Sequence, residues 1–134
     1  MKIYLAGGMR GPWRHQYKRL NDRGLEIEFY DPSEHRLTSS EQYTMWDLAA
    51  IDACDSLVGF MEADNPSGQG LTLEIGYAKA LGKKIILVLE EEFTMQDRFR
   101  YFLMAVACAD MVTIPRDEKH EDALDLIRTL CMIM

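Results

Sequence analysis

The chain has little of what marks several protein classes. Its three cysteines, Cys54, Cys108 and Cys131, are odd in number and far apart, with no C-x-x-C pair; this excludes a disulfide framework and favours buried free thiols. His15, His35 and His120 are isolated from one another and from the cysteines, and each falls in a stretch that reads as polar surface or loop. None is assigned a metal, and neither a metal nor an organic cofactor is expected. Positive charge is scarce: 15 Lys and Arg face 22 Asp and Glu, a formal net charge of −7. That balance argues against a nucleic-acid polymer as partner, because phosphate backbones are bound by neutralising them. No apolar run approaches the roughly 18 residues of a membrane span, and no basic segment followed by an apolar one opens the chain. Neither membrane association nor export is expected, which leaves a cytoplasmic protein acting on a small molecule.

What is present is an ordinary globular balance, 48% apolar and 28% charged, over 134 residues, the commonest size for one domain. Apolar runs alternate with segments of helical spacing. Lys2 to Ala6, Leu25 to Tyr30, Ser56 to Met61, Lys84 to Leu89 and Met111 to Ile114 read as strands. Between and after them, Trp13 to Arg23, Ser40 to Ala53, Leu71 to Leu81, Asp97 to Ala107 and Glu118 to Met132 read as helices. Strands apolar along their whole length are those covered on both faces. The fold expected is therefore a single α/β domain, a doubly wound five-stranded parallel sheet of Rossmann-like or flavodoxin-like type with helices on both faces. Ligands of such sheets lie beyond the carboxyl ends of the strands, where strand order reverses. This points to three loops, 7–12, 31–40 and 62–70.

The first loop, Gly7-Gly8-Met9-Arg10-Gly11-Pro12, joins glycine-freed amides to one guanidinium directly after the first strand. It has the makings of a phosphate or sugar cradle; a turn that merely needs glycine explains the same residues. Gly68-Gln69-Gly70 is not a dinucleotide fingerprint, because Leu73 stands where the third glycine belongs. Glu74 is a carboxylate among Leu71, Leu73, Ile75 and Gly76 in the first turn of the expected helix. A positive helix end favours the ionised form that a carboxylate nucleophile needs, although simple complementation of the helix dipole also accounts for it. Asp47, beside Trp46 and Leu48, could protonate a leaving group if burial raised its pKa, or be an exposed helical residue. Tyr4 lies inside the first strand, where a buried phenol needs a hydrogen-bond partner.

Ile3-Tyr4-Leu5-Ala6-Gly7, Asp47-Leu48-Ala49-Ala50-Ile51 with Cys54-Asp55, and Gly70-Leu71-Thr72-Leu73-Glu74-Ile75-Gly76-Tyr77-Ala78 together resemble the nucleoside 2-deoxyribosyltransferase family, which includes related nucleoside 5′-monophosphate N-glycosidases. The resemblance runs from about residue 2 to residue 89. It implies that Glu74 is a nucleophile forming a covalent glycosyl-enzyme, that Tyr4 holds it, and that Asp47 protonates the departing base. Transfer of the sugar to a second base is the leading implication. Hydrolysis of a nucleoside 5′-monophosphate is the alternative, and a nucleotide-binding sensor without turnover a second one. Gly7, Gly8, Met9, Arg10 and Gly11 resemble the phosphate-binding loop of the monophosphate N-glycosidases, and Ser67, Gly68 and Gly70 would complete substrate binding. Family members carry an acidic or serine side chain shortly before the nucleophile where this chain has Gly68. Transferases also lend an Asn to a neighbouring subunit where it has Met111. A homodimer or higher homo-oligomer is implied.

Overall fold

The computed structural model describes residues 1–9, 11–65, 68–90 and 102–134. Five parallel strands, β1 (Lys2–Gly7), β2 (Glu28–Tyr30), β3 (Ser56–Met61), β4 (Lys84–Leu89) and β5 (Met111–Thr113), form one sheet in the order β2-β1-β3-β4-β5. The helices are α1 (Trp13–Lys18), α2 (Ser40–Ala53), α3 (Gln69–Ala80), α4 (Leu103–Cys108) and α5 (Glu121–Ile133), with a 3-10 turn at Arg19–Arg23. The expected doubly wound parallel sheet is the observed one. Its order reverses between β1 and β3, so the crevice beyond their carboxyl ends is the place for a ligand.

Alternation along each strand sorts the core into two layers. Tyr4, Ala6, Leu57, Ile85 and Leu87 face one side, where Ile51 of α2, Leu71 and Ile75 of α3 and Ala105 of α4 cover them. Ile3, Leu5, Val58, Phe60, Ile86 and Val88 face the other, beneath Trp13 and Tyr17 of α1 and Leu124 and Ile127 of α5. Tyr4 thus points from β1 toward the layer that carries α2 and α3, which is what lets it meet residues of both.

Several boundaries differ from the sequence reading, each for a local reason. β2 begins at Glu28, where its register starts against Lys2; Ile27, opposite Met1, lies outside the paired strand. The first helix tightens to a 3-10 turn after Lys18, where the Asn21 amide exchanges two bonds with the Ile27 backbone (2.8 and 2.9 Å). α3 starts at Gln69, two residues early, and α5 starts at Glu121 because His120 is left-handed with φ 54°. Of the helix expected over Asp97 to Ala107, the part up to Tyr101 lies outside the described residues. Cys54 and Cys131 are buried and Cys108 is half-buried, all three as free thiols. His120 is not on the surface: its ring stacks on Phe60 and its Nδ1 meets the Tyr17 hydroxyl at 3.0 Å. Among the described residues no helix is long and apolar enough to cross a membrane.

Candidate active site

A cavity of about 610 Å³ opens at the carboxyl end of the sheet, lined among others by Gly7, Met9, His35, Tyr43, Asp47, Gly70 and Glu74. Its size is that of small-molecule sites. Of the residues singled out in sequence, Gly7, Met9, Asp47, Gly70 and Glu74 line it, and Tyr4 lies beneath, bonded to Glu74. The Tyr4 hydroxyl, wholly buried on β1, donates a short hydrogen bond to Glu74 Oε2 on α3. Asp47 reaches the same space from α2.

Glu74 sits in the second turn of α3, not the first, because the helix begins at Gln69. Dipole stabilisation fades beyond the first turn, so the expected preference for the ionised form does not hold by that route. Burial pushes the Glu74 carboxyl up to about 7; the Tyr4 bond pulls it down, Asp47 pushes it up and Arg14 pulls it down. A carboxyl so placed holds its proton to higher pH than an ordinary glutamate does. The same burial, with Glu74 opposite, holds the Tyr4 phenol well above its ordinary pKa, so Tyr4 remains a hydrogen-bond donor to the carboxylate.

Asp47 is part-buried, and burial raises its pKa against the opposing pull of His35 and Arg14. His35 is a functional candidate that the sequence reading left on the surface. Its Nδ1 accepts the Leu37 N–H at 3.0 Å, which puts the ring proton on Nε2, and Nε2 donates to Asp47 Oδ1 at 3.2 Å. The edge of Trp46 holds the ring, with centroids 4.7 Å apart. The back-bond from Leu37 requires Arg36 between them to be left-handed, φ 56°, a conformation that no feature of the sequence announces.

The glycine cradle is partly spoken for. Gly8 faces the Glu62 carboxyl, and a Cβ at Gly8 would lie 1.8 Å from Glu62 Oε1. Its carbonyl accepts from Trp13 Nε1 (3.2 Å) and Arg14 Nη1 (2.7 Å). Gly8 is therefore glycine to admit Glu62. Gly7 and Met9 line the cavity, whereas Gly11 does not. Gly70 lines it too, with no atom within 4 Å of where its Cβ would be. Gly68, expected to touch substrate, is buried against Met61 and Phe102 in a left-handed conformation, φ 64°, at the start of α3. Its role is to begin the helix: its N–H binds Asn65 Oδ1 and its carbonyl accepts from Thr72. Arg10 and Ser67 lie outside the described residues.

Known proteins share this fold. A solved structure of a CMP N-glycosidase from Clostridium botulinum superposes with a TM-score of 0.62 at 27% identity, covering 94% of this chain and 99% of that one. A 2-desoxiribosyltransferase from Leishmania mexicana matches at TM-score 0.58 and 24% identity over 70% of this chain and 67% of its own. A response regulator receiver domain from Rhodospirillum rubrum reaches TM-score 0.61 at 12% identity, covering 100% of this chain and 95% of that one; at such identities the likeness is one of fold. No curated protein sequence matches significantly. The model of nucleoside 2-deoxyribosyltransferase-like proteins matches residues 1–92, more than half of the chain and the whole span that carries Tyr4, Asp47 and Glu74. The chain belongs to the nucleoside 2-deoxyribosyltransferase-like family.

Proposed function

We propose that this protein cleaves the N-glycosidic bond of a nucleoside or its 5′-monophosphate by double displacement. The observation that carries the reading is the Tyr4–Glu74 hydrogen bond beside Asp47 at one cavity. Glu74, as carboxylate, attacks the anomeric carbon; the C1′–N bond breaks, its electron pair leaves with the base, and Asp47 supplies the proton to the base nitrogen. Tyr4 fixes the attacking carboxylate, and His35 holds one oxygen of Asp47 so that the other faces the base. The glycosyl ester is then attacked at C1′ by water or by a second base, and Asp47 takes the proton of that nucleophile while Glu74 leaves.

The similarity to the CMP N-glycosidase along nearly the whole of both chains supports water as acceptor and a nucleotide as substrate. The cavity walls, with Met9 and Leu73 exposed nearby, also support a site completed within a homo-oligomer. The test is incubation with each common nucleoside and its 5′-monophosphate, with and without a free acceptor base, followed by chromatography. Free base with free sugar phosphate is expected. A new nucleoside would assign transfer, and tight binding seen by calorimetry without base release would assign a sensor.

A further inference from the structure

The guanidinium of Arg14 is buried, with 7% of its side chain exposed, yet it belongs to none of the groups assigned a step above. Its place follows from strand length. β1 pairs with β3 as far as Gly7 but with β2 only as far as Tyr4. Beyond that point β1 has no neighbour on the β2 side, and an unpaired buried carbonyl is costly. Arg14 stands where the missing strand would be. Nη1 donates to the Gly8 carbonyl (2.7 Å), Nη2 to that of Gly7 (2.9 Å), and Nε and Nη2 reach that of Leu5 (3.4 Å each). Nε also lies 3.3 Å from Asp31 Oδ1, in the residue after β2, while the guanidinium carbon sits 4.5 Å over the Trp13 ring. One side chain thereby ties the turn after β1 to the loop after β2, and these two segments form opposite walls of the cavity.

The charge has a second consequence. Burial lowers the Arg14 pKa and Asp31 opposes this, but a guanidinium remains charged in proteins. Its field acts on Tyr4 of β1, Asp47 of α2, Glu62 after β3 and Glu74 of α3. Asp31 and, through it, Lys18 of α1 (2.7 Å) flank the guanidinium; Lys18 also pairs with Glu34, His35 holds Asp47, and Asp64 and Glu90 act on Glu62.

We infer that Arg14 is a positioning residue for the reaction proposed above: it braces the Gly7–Gly8 turn against the loop of Asp31 and places a buried positive charge at that end of the cavity. The inference rests on that reading for its catalytic meaning, but its electrostatic content is measurable without turnover. Carbon-13 labelling of glutamate carboxyls, with the Glu74 resonance assigned by Glu74→Gln, gives the Glu74 titration directly. Arg14→Met keeps the aliphatic stem on Trp13 and removes the charge; the Glu74 midpoint is expected to rise. Arg14→Lys keeps the charge but cannot span three carbonyls, so the midpoint stays near that of the parent while KM rises several-fold. Asp31→Asn, which removes a negative charge beside Arg14, moves the midpoint down, the opposite sign. The acid limb of kcat/KM against pH follows the same three directions. An unmoved Glu74 midpoint in Arg14→Met with circular dichroism unchanged overturns the inference, as does an upward move in Asp31→Asn. If Arg14→Met fails to fold, Asp31→Asn and Arg14→Lys decide it. Should the parent release no base from any nucleoside or nucleotide, the functional reading fails while the titration still judges Arg14.

Discussion

At the scale of single residues, the protein keeps a carboxyl group in a place that disfavours its charge. Glu74 has an ordinary pKa near 4.5 and is raised to about 7 in the fold. The folded state therefore binds the proton more tightly than the unfolded chain, so the penalty is absent below pH 4.5, grows as pH rises toward 7, and is complete above it. Its ceiling is roughly 3 kcal/mol. Glu74→Gln should melt higher than the parent at pH 8, with the difference shrinking toward pH 5, and should lose at least about a thousandfold in base release; a calorimetric pH series checks the first and chromatography the second. His35 makes a sharper case. Asn can still accept the Leu37 N–H but falls short of Asp47, whereas the Gln amide nitrogen reaches as far as Nε2. His35→Asn is expected to lose about tenfold or more in kcat with natural bases and little with a nitrophenyl glycoside, whose leaving group needs no proton, while His35→Gln retains most activity. Equal losses on both substrates would reduce His35 to a structural part. Tyr4, Asp47 and Glu74 were legible because their types and order are themselves the signal. The place of His35 was not, since it depends on a left-handed Arg36, and the need for glycine at position 8 depends on a glutamate 54 positions away.

At the scale of elements, the two β-to-α turns that flank the cavity are set by glycines with different duties. Gly7 closes β1 at φ 150°, with the Phe60 carbonyl 2.5 Å from where a Cβ would sit, so backbone would have to move for any other residue. Gly68 opens α3 at φ 64°, where flexible Met61 atoms lie 3.0 Å and a Phe102 ring carbon 3.4 Å from where a Cβ would sit. Gly68→Ala should cost about 1–2 kcal/mol from the left-handed conformation, read as a lower urea midpoint with unchanged slope. Because α3 carries Glu74 in its second turn, kcat should fall more than KM rises; an unchanged kcat would detach the start of the helix from the chemistry. The strands β3 and β4 matched their sequence bounds because continuous apolar runs admit one reading in a sheet covered on both faces. β2 did not, because its length is decided by where β1 begins, and the start of α5 did not, because His120 takes a backbone conformation that its residue type rarely chooses.

At the scale of the whole molecule, large apolar side chains are left exposed on both layers. On the layer of α2, α3 and α4, Met45 is 72% exposed, Leu73 61% and Met104 80%, and on the other Met132 and Ile133 of α5 are 63% and 76% exposed. Scattered exposed apolar residues are ordinary, and of these Leu73 is the one whose neighbour in sequence is the proposed nucleophile, so the homo-oligomer proposed above is tested there. Leu73 precedes Glu74 on α3, so a second copy seated there would border the cavity and exclude water from it. A twofold contact of this kind uses the same patch on both partners, and one substitution is then felt twice. Sedimentation of the parent should give a mass above the 15.4 kDa of one chain. Leu73→Glu should return it to the monomer with circular dichroism unchanged and base release reduced, because two carboxylates would be buried face to face. A parent that sediments as a single chain at every concentration, with full base release, would rule out assembly as a condition for the site.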